Sequence, residues 1–296
     1  MKGMSDKKPP VYVIVLNYNG LKLLLKCLES LKKTRYDNMK VLVVDNGSTD
    51  GSVKAVKTLF PEVEILALPR NLGYARANNL GIVYALKHGG EYIVLLNNDI
   101  EVVDPYWLNL AVKVMERRRD IGILGFNLIL PSGQSQYSSK LRPQEVGEVV
   151  FAAAIIRSGV FKATGFLDDE YVIGGAEDLD FCYRARRCGF KIVYIPCVKM
   201  LHMHRATFKR IPHNIAFILG SRNRFRHFIL NKPLHELFIW IVGAFVGIKN
   251  GKFVLRNDVK RFKWLTYGFV VSVKWDGFTG LARLIAERLR RSFIMC

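Results

Sequence analysis

Four short apolar runs in the first hundred residues, each stopped by Asn, Asp or Gly, restrict this chain more than any other feature. Val11–Leu16 ends in Asn17-Tyr18-Asn19-Gly20, and Met39–Val44 ends in Asp45-Asn46-Gly47-Ser48-Thr49-Asp50-Gly51. Val63–Ala67 leads into Pro69-Arg70-Asn71, and Tyr92–Leu96 stops at Asn97-Asn98-Asp99. Continuous apolar runs of this length suit strands buried on both faces of a parallel sheet. Between them lie helical stretches. Leu21–Lys33 carries Leu21, Leu24, Leu25, Leu28 and Leu31 on one face, Ser52–Leu59 is a second, and a third runs to about Lys87 and closes at Gly89-Gly90. Strand, polar loop, helix, strand is the βαβ unit, so the expected class is α/β with a mostly parallel sheet. One polar stop is a turn. Four on the carboxyl edge of one sheet make a ligand cleft.

Further along, Pro105–Arg118 reads as a helix and Ile121–Leu130 as a strand interrupted by Asn127. Residues 131–148 are polar and irregular, as a loop beside the cleft would be. Phe151–Ile156 is strand-like, Ser158–Thr164 is a helical turn, Leu179–Cys188 is a helix and Lys191–Pro196 is a strand followed by His202 and His204. Two stretches carry chemistry. Asp99, flanked by the amides of Asn97 and Asn98 at a strand end, is a site for a hard divalent cation that would face phosphate oxygens. Glu177-Asp178 follows Gly174-Gly175-Ala176 and opens a helix; the alternative is that Asp178 only caps that helix.

Half of the 296 residues are hydrophobic, which supports a sizeable core and excludes wholesale disorder. The formal charge is +20, and residues 201–296 concentrate it, with 18 Lys and Arg against 4 Asp and Glu. Such a block seeks an anionic partner. Residues 231–296 mix Trp240, Trp264 and Trp275 with basic residues at helical spacing. This suits amphipathic helices on an anionic membrane face, or a helical subdomain packed on the core or on a second subunit. Nucleic acid is disfavoured, because no nucleic-acid motif accompanies the charge. The five cysteines include no CxxC pair, so neither zinc nor a disulfide framework is expected, and a reducing compartment is. The first residues, MKGMSDKKPP, lack the apolar core of a signal peptide. The apolar runs 237–248 and 264–273 are shorter than the roughly 20 residues a spanning helix needs.

The succession NYNG, VVDNGSTDGS, NLGYARANN, LLNNDIEV and GGAEDLDFCYRARRCGFKIVYIP with a following histidine, over about residues 10–230, resembles the family 2 glycosyltransferases. Within them it is most similar to the rhamnosyltransferase-like branch. The resemblance implies a GT-A fold in residues 1–230, with a mixed, mostly parallel sheet flanked by helices. Residues 1–100 would form the nucleotide-sugar half, 101–230 the acceptor half and 231–296 a basic amphipathic helical extension. It implies an inverting, Mg2+- or Mn2+-dependent transfer from a UDP-, dTDP- or GDP-linked sugar to a glycan or lipid-linked glycan in cell-surface polysaccharide or glycoconjugate synthesis. The enzyme would be cytoplasmic, peripheral on the inner face of the cell membrane. Donor-binding residues carried over by motif are Asn17, Tyr18, Asn19, Asp45, Asn71, Arg76, Asn97 and Asn98. Asp99 and His202 would hold the metal, with His204 as the rival to His202. Asp178 would be the base and Glu177 its helper, and Arg222-Asn223-Arg224 resembles a late segment of the family. Asn97 stands where the familiar DxD motif has its first Asp, as is common in this branch. The nearest rivals are a polyprenyl-phosphate sugar synthase, whose phosphate acceptor needs no base, and a non-catalytic nucleotide-sugar-binding protein.

Overall fold

The computed structural model describes residues 8–136, 142–171, 175–203, 213–231, 246–249, 252–255 and 282–291. They form two compact units, one of residues 1–170 and 177–207, the other of 171–176 and 208–296. The boundary expected at residue 230 falls at the end of a helix that belongs to the second unit.

The first unit opens with β1 (Val11–Asn17), α1 (Leu21–Leu31), β2 (Met39–Asp45), α2 (Ser52–Leu59), β3 (Glu64–Ala67), α3 (Tyr74–Lys87) and β4 (Tyr92–Asn97). It continues with β5 (Ile100–Val102), α4 (Trp107–Arg117), β6 (Ile121–Ile129), β7 (Gln144–Glu145), β8 (Ala153–Arg157), α5 (Ser158–Thr164), α6 (Glu177–Arg187) and β9 (Lys191–His202). The strands lie in the order β3-β2-β1-β4-β8-β6-β9-β5, with β7 beside β9. Pairs β1–β2, β1–β4, β2–β3 and β6–β9 are parallel. β8 runs the other way, antiparallel to both β4 and β6, and β5 is antiparallel to β9.

Alternation along the strands sorts the core into two layers. Val11, Val13 and Val15 of β1 face Leu24, Leu28, Trp107 and Met115, so α1 and α4 cover one side. Tyr12 and Ile14 face Ala77, Ile82, Phe161 and Phe181, so α3, α5 and α6 cover the other. A sheet clothed on both faces explains why its strands read as unbroken apolar runs. α3 sits closest to the sheet at Gly81, where an added Cβ would lie 2.8 Å from Val44 Cγ2 and 2.9 Å from Ile14 Cγ2.

Two features depart from the sequence reading. The strand expected to end at Pro196 runs on to His202. Its register against β6 jumps from Phe126↔Ile195 to Asn127↔Lys199, leaving a bulge at 196–198. Asn127, which interrupts the apolar run of β6, donates its side-chain amide to Pro196 O at 3.2 Å and so closes the bulge. The second departure is in the thiols: Cys27, Cys182 and Cys197 are free, whereas Cys188 is disulfide-bonded, against the expectation of no disulfide.

In the second unit α7 (His213–Asn231) is followed by a hairpin of β10 (Val246–Lys249) and β11 (Lys252–Leu255) and by α8 (282–291). The hairpin was not among the helical elements expected for residues 231–296. Leu284 packs on Phe225 and Leu230, and Arg226 pairs with Glu287 at 2.7 Å, which joins α7 to α8. Trp240, Trp264 and Trp275 lie outside the described residues. Among those described, no helix is long and apolar enough to cross a membrane.

Gly81→Val tests the α3–sheet approach. Overpacking there should cost about 1–3 kcal/mol, read as a lower urea midpoint at unchanged m-value.

Candidate active site

The parallel register brings three strand ends to one edge: Asn17 lies beside Asp45, and Leu16 beside Asn97. Asn17 is fully buried and its amide needs partners there. Its Nδ2 donates to Asp45 Oδ1 at 2.9 Å and to Ser48 Oγ at 3.2 Å, and its Oδ1 accepts from Asn98 Nδ2 at 2.6 Å. Asp45 Oδ2 accepts the N–H of Ser48 at 2.9 Å. Ser48 Oγ also accepts the N–H of Asn19 at 2.8 Å, while Asn19 Oδ1 accepts that of Thr49 at 2.8 Å. Asn19 has φ 47, a conformation Asn tolerates.

The loop after β2 is fastened on both sides. Asp50 accepts the N–H of Leu21 at 2.8 Å, supplying α1 with the cap that Gly20 lacks. Asn46 accepts the N–H of Leu72 at 2.8 Å and donates to Asn71 Oδ1 at 3.0 Å. Asn71 Oδ1 in turn accepts the N–H of Gly73 at 2.9 Å. Gly47 makes this approach possible. Its φ is 78, and a Cβ would fall 2.6 Å from Arg70 Cα.

Asp99 follows β4 and is 6% exposed; its Oδ1 is buried without a hydrogen bond. The bulge in β9 sets His202 opposite Ile100, and His202 Nε2 stands 3.5 Å from Asp99 Oδ1. His202 Nδ1 is 2.8 Å from Gln136 Oε1. An amide oxygen only accepts, so Nδ1 carries a proton toward it and Nε2 is the nitrogen that faces the carboxylate. A buried carboxylate oxygen without a hydrogen bond is unfavourable until something positive meets it. A carboxylate oxygen and an imidazole nitrogen so arranged fit a divalent cation that takes its remaining ligands from phosphate and water.

Glu177 and Asp178 form the first turn of α6, where three carboxylates complement the helix N-terminus. Asp178 is the second residue of the helix and its Oδ1 accepts the N–H of Leu179, the next residue, at 2.9 Å. That bond satisfies one of the free N–H groups in the first turn of α6. Burial pushes the Asp178 carboxyl up to about 6; backbone N–H groups of Leu179, Asp178 and Phe151 counter it, and the Glu148 charge adds to it. Asp180, by contrast, is fully buried and committed to Arg184 at 2.9 Å.

Tyr74 stands at the start of α3, and its hydroxyl donates to Phe151 O at 2.8 Å. Burial raises its phenol well above the usual range, and the charges of Glu177, Asp178 and Asp99 raise it further.

The structure brings Asn17, Asn19, Asp45 and Asn98 into one network, with Asn71 attached through Asn46. Asn17 and Asp45 offer a ligand almost no surface, whereas Tyr18, Asn19, Asn71, Arg76 and Asn97 reach solvent. A cavity of about 500 Å³ shares Ser48 and Thr49 with the network and is otherwise lined by Gly51, Ser52, Val53, Lys54, Lys57 and Thr58; none of the site carboxylates lines it. His204 lies outside the described residues, and Arg222-Asn223-Arg224 lie on α7 in the second unit. Tyr74, Ser48, Asn46, Asp50 and Gln136 were not singled out from the sequence. The first four stand inside quoted motifs, but nothing in spacing separates a bridging hydroxyl from a packed one.

Comparison with known proteins places the chain in a family. An uncharacterized protein y4gI of Sinorhizobium fredii and the O-antigen biosynthesis protein RfbC of Myxococcus xanthus are 26% and 27% identical over 67% of this chain. This chain spans only 25% and 18% of their lengths. The dTDP-rhamnosyl transferase RfbF of Shigella flexneri is 28% identical over 65% of this chain and 68% of its own. Among solved structures, GalNAc-T7 with UDP, GalNAc and Mn2+ superposes with TM-score 0.62 at 16% identity, over 76% of this chain and 48% of that one. The Pyrobaculum calidifontis mannosyltransferase PcManGT, in complex with GDP-Man and Mn2+, superposes with TM-score 0.57 at 17% identity over 99% and 91%. The fold is that of the GT-A glycosyltransferases. The profile of glycosyl transferase family 2 matches residues 12–165, just over half of the sequence, and the chain belongs to that family.

Proposed function

We propose that this chain is an inverting glycosyltransferase that moves a sugar from a nucleoside-diphosphate donor to a hydroxyl of a glycan or lipid-linked glycan in cell-surface polysaccharide or glycoconjugate synthesis. The observation that carries the reading is Asp99 Oδ1, buried without a hydrogen bond and 3.5 Å from His202 Nε2, in the same compact unit as the buried Asp178 at the start of α6. The names of RfbC and RfbF support the polysaccharide setting and make dTDP-rhamnose the first donor to try.

Asn17 and Asp45 hold the floor of the nucleoside end, on which Tyr18, Asn19, Asn71 and Arg76 contact base, ribose or phosphate. Asn97 and Asn98 line the diphosphate side. Asp99 and His202 would hold Mg2+ or Mn2+, which when bound neutralises charge on the diphosphate. Asp178 takes the proton from the acceptor hydroxyl as its oxygen bonds to the anomeric carbon. The bond from that carbon to the diphosphate oxygen breaks with its electron pair leaving on the phosphate. One displacement inverts the centre and needs one base. A carboxylate whose affinity for protons is raised by burial accepts that proton better than an exposed one. Glu177 orients the acceptor or the base. The basic excess of residues 201–296 and the exposed Ile285 and Leu289 between Arg283 and Arg290 on α8 suit a peripheral seat on the anionic cytoplasmic face of the membrane.

Thermal shift against dTDP-, UDP- and GDP-sugars, with and without Mn2+, tests the donor site. One nucleotide at about 100 times its Kd should add roughly 2.7 kcal/mol of apparent stability, and the metal-dependent part should vanish in Asp99→Ala. Asp178→Asn should lose about 10²–10⁴ in kcat while keeping donor affinity; full turnover would favour the phosphate-acceptor synthase. The rate should rise with pH and level off above about 6, where Asp178 is ionised. Stability should move the opposite way. Asp178 holds its proton more tightly folded than unfolded, so its contribution is greatest below about 4 and falls as pH rises through about 6. Asp178→Asn should therefore raise Tm at pH 8, by the equivalent of about 2–3 kcal/mol, and not at pH 4.

A further inference from the structure

We infer that Tyr74 is a positioning residue, tying the carboxylate of Asp178 to the loop before α3 through the backbone of Phe151 and Ala152. The inference rests on Asp178 being the base. Its geometry is independent of that reading.

Three elements meet at residues 151 and 152, where the chain enters β8. Tyr74 donates its hydroxyl to Phe151 O at 2.8 Å. The N–H of Asn97, at the end of β4, is bonded to Ala152 O at 2.9 Å. The N–H of Phe151 is one of the groups that stabilise the Asp178 carboxylate. The Phe151 ring lies edge-on to Phe181 of α6, with centroids 5.7 Å apart. Phe151 and Ala152 are buried, at 1% and 4% exposure, so neither carbonyl has water in place of its partner.

The other end of the tie reaches the loop that we assign to the donor. Tyr74 follows Gly73, whose N–H is held by Asn71 and whose carbonyl accepts from Asn46 at 3.2 Å. Asn46 bonds through its own N–H to Asn17 O at 2.8 Å. Hydrogen bonds therefore run from the Asn17 floor through the 71–74 loop to Phe151, whose ring packs on the helix that carries Asp178. Loop, metal-side strand and base are located against the same two residues. The phenol does not touch the reacting atoms in this scheme. It keeps the base from moving relative to the bound donor, and small misplacements at such a distance are costly.

Tyr74→Phe removes the hydroxyl and keeps the ring. In the full-length protein, the Tm changes of Tyr74→Phe and Asp178→Asn should fail to add in the double variant, because both act on residue 151. This readout needs no substrate. With dTDP-rhamnose, or whichever nucleotide sugar shifts Tm in the donor scan, Tyr74→Phe should lower kcat by about 10- to 100-fold and leave the donor Kd within about twofold. Val160→Ala is the control, since it weakens the same core layer away from residues 151 and 152, and it should spare kcat. Additive Tm changes would overturn the tie. So would an unchanged kcat in Tyr74→Phe, or an equal loss in Val160→Ala. If Asp178→Asn itself turns over normally, the assignment of the base fails, and the Tm cycle still decides whether the tie exists.

Discussion

A parallel sheet ends its strands together, so polar groups gathered at its carboxyl edge must satisfy one another or stay wet. Here that constraint falls on Asn17. Its fully buried amide uses both ends, giving to Asp45 and Ser48 and taking from Asn98. An amide is suited to this junction because it both donates and accepts, which a carboxylate cannot do. Every later feature of the site hangs from it: the 46–50 loop through Asp45, the 71–74 loop through Asn46, and the Asn97–Asp99 segment through Asn98. These groups are satisfied by one another without a ligand, and a preformed site lowers the ordering cost of binding.

The second half of the sheet adds what the first cannot. β8 enters the sheet from the site edge while its neighbours leave there. The residues that lead into it, 148–152, therefore lie among the strand ends. They give Asp178 an N–H and a like charge in Glu148, and they give Tyr74 and Asn97 carbonyl acceptors. The bulge at 196–198 does the same for His202, re-aiming β9 so that the imidazole meets Asp99.

Much of the first half was legible in the sequence because its signals are local. Val11–Leu16, Met39–Val44 and Tyr92–Leu96 are apolar runs with polar stops, and they are strands with those ends. The carboxylates at 99 and 177–178 stood out for the same reason. What stayed hidden depends on partners far along the chain. Asp50 caps a helix that starts 29 residues earlier. Gln136 fixes the tautomer of a histidine 66 residues away. The reversal of β8 and the extension of β9 past Pro196 are sheet-level outcomes, since Phe151–Ile156 reads identically in either direction. Nothing local marks Tyr74 either, whose hydroxyl meets Phe151 O 77 residues along the chain.

The central position of β8 also has a kinetic side. β4 is complete at residue 97, but the strand that covers its open edge ends only at residue 157. Until then the ribosome has released a four-stranded sheet in which the apolar strand Tyr92–Leu96 forms the unpaired margin. At the usual pace of synthesis the 60 residues between take about 3–12 s, a long exposure for an edge of that kind. The nascent chain therefore passes through a sticky stage set by its topology, and its vulnerability to aggregation is greatest in mid-synthesis, when the half that reads most clearly in the sequence is already folded and waiting for its cover.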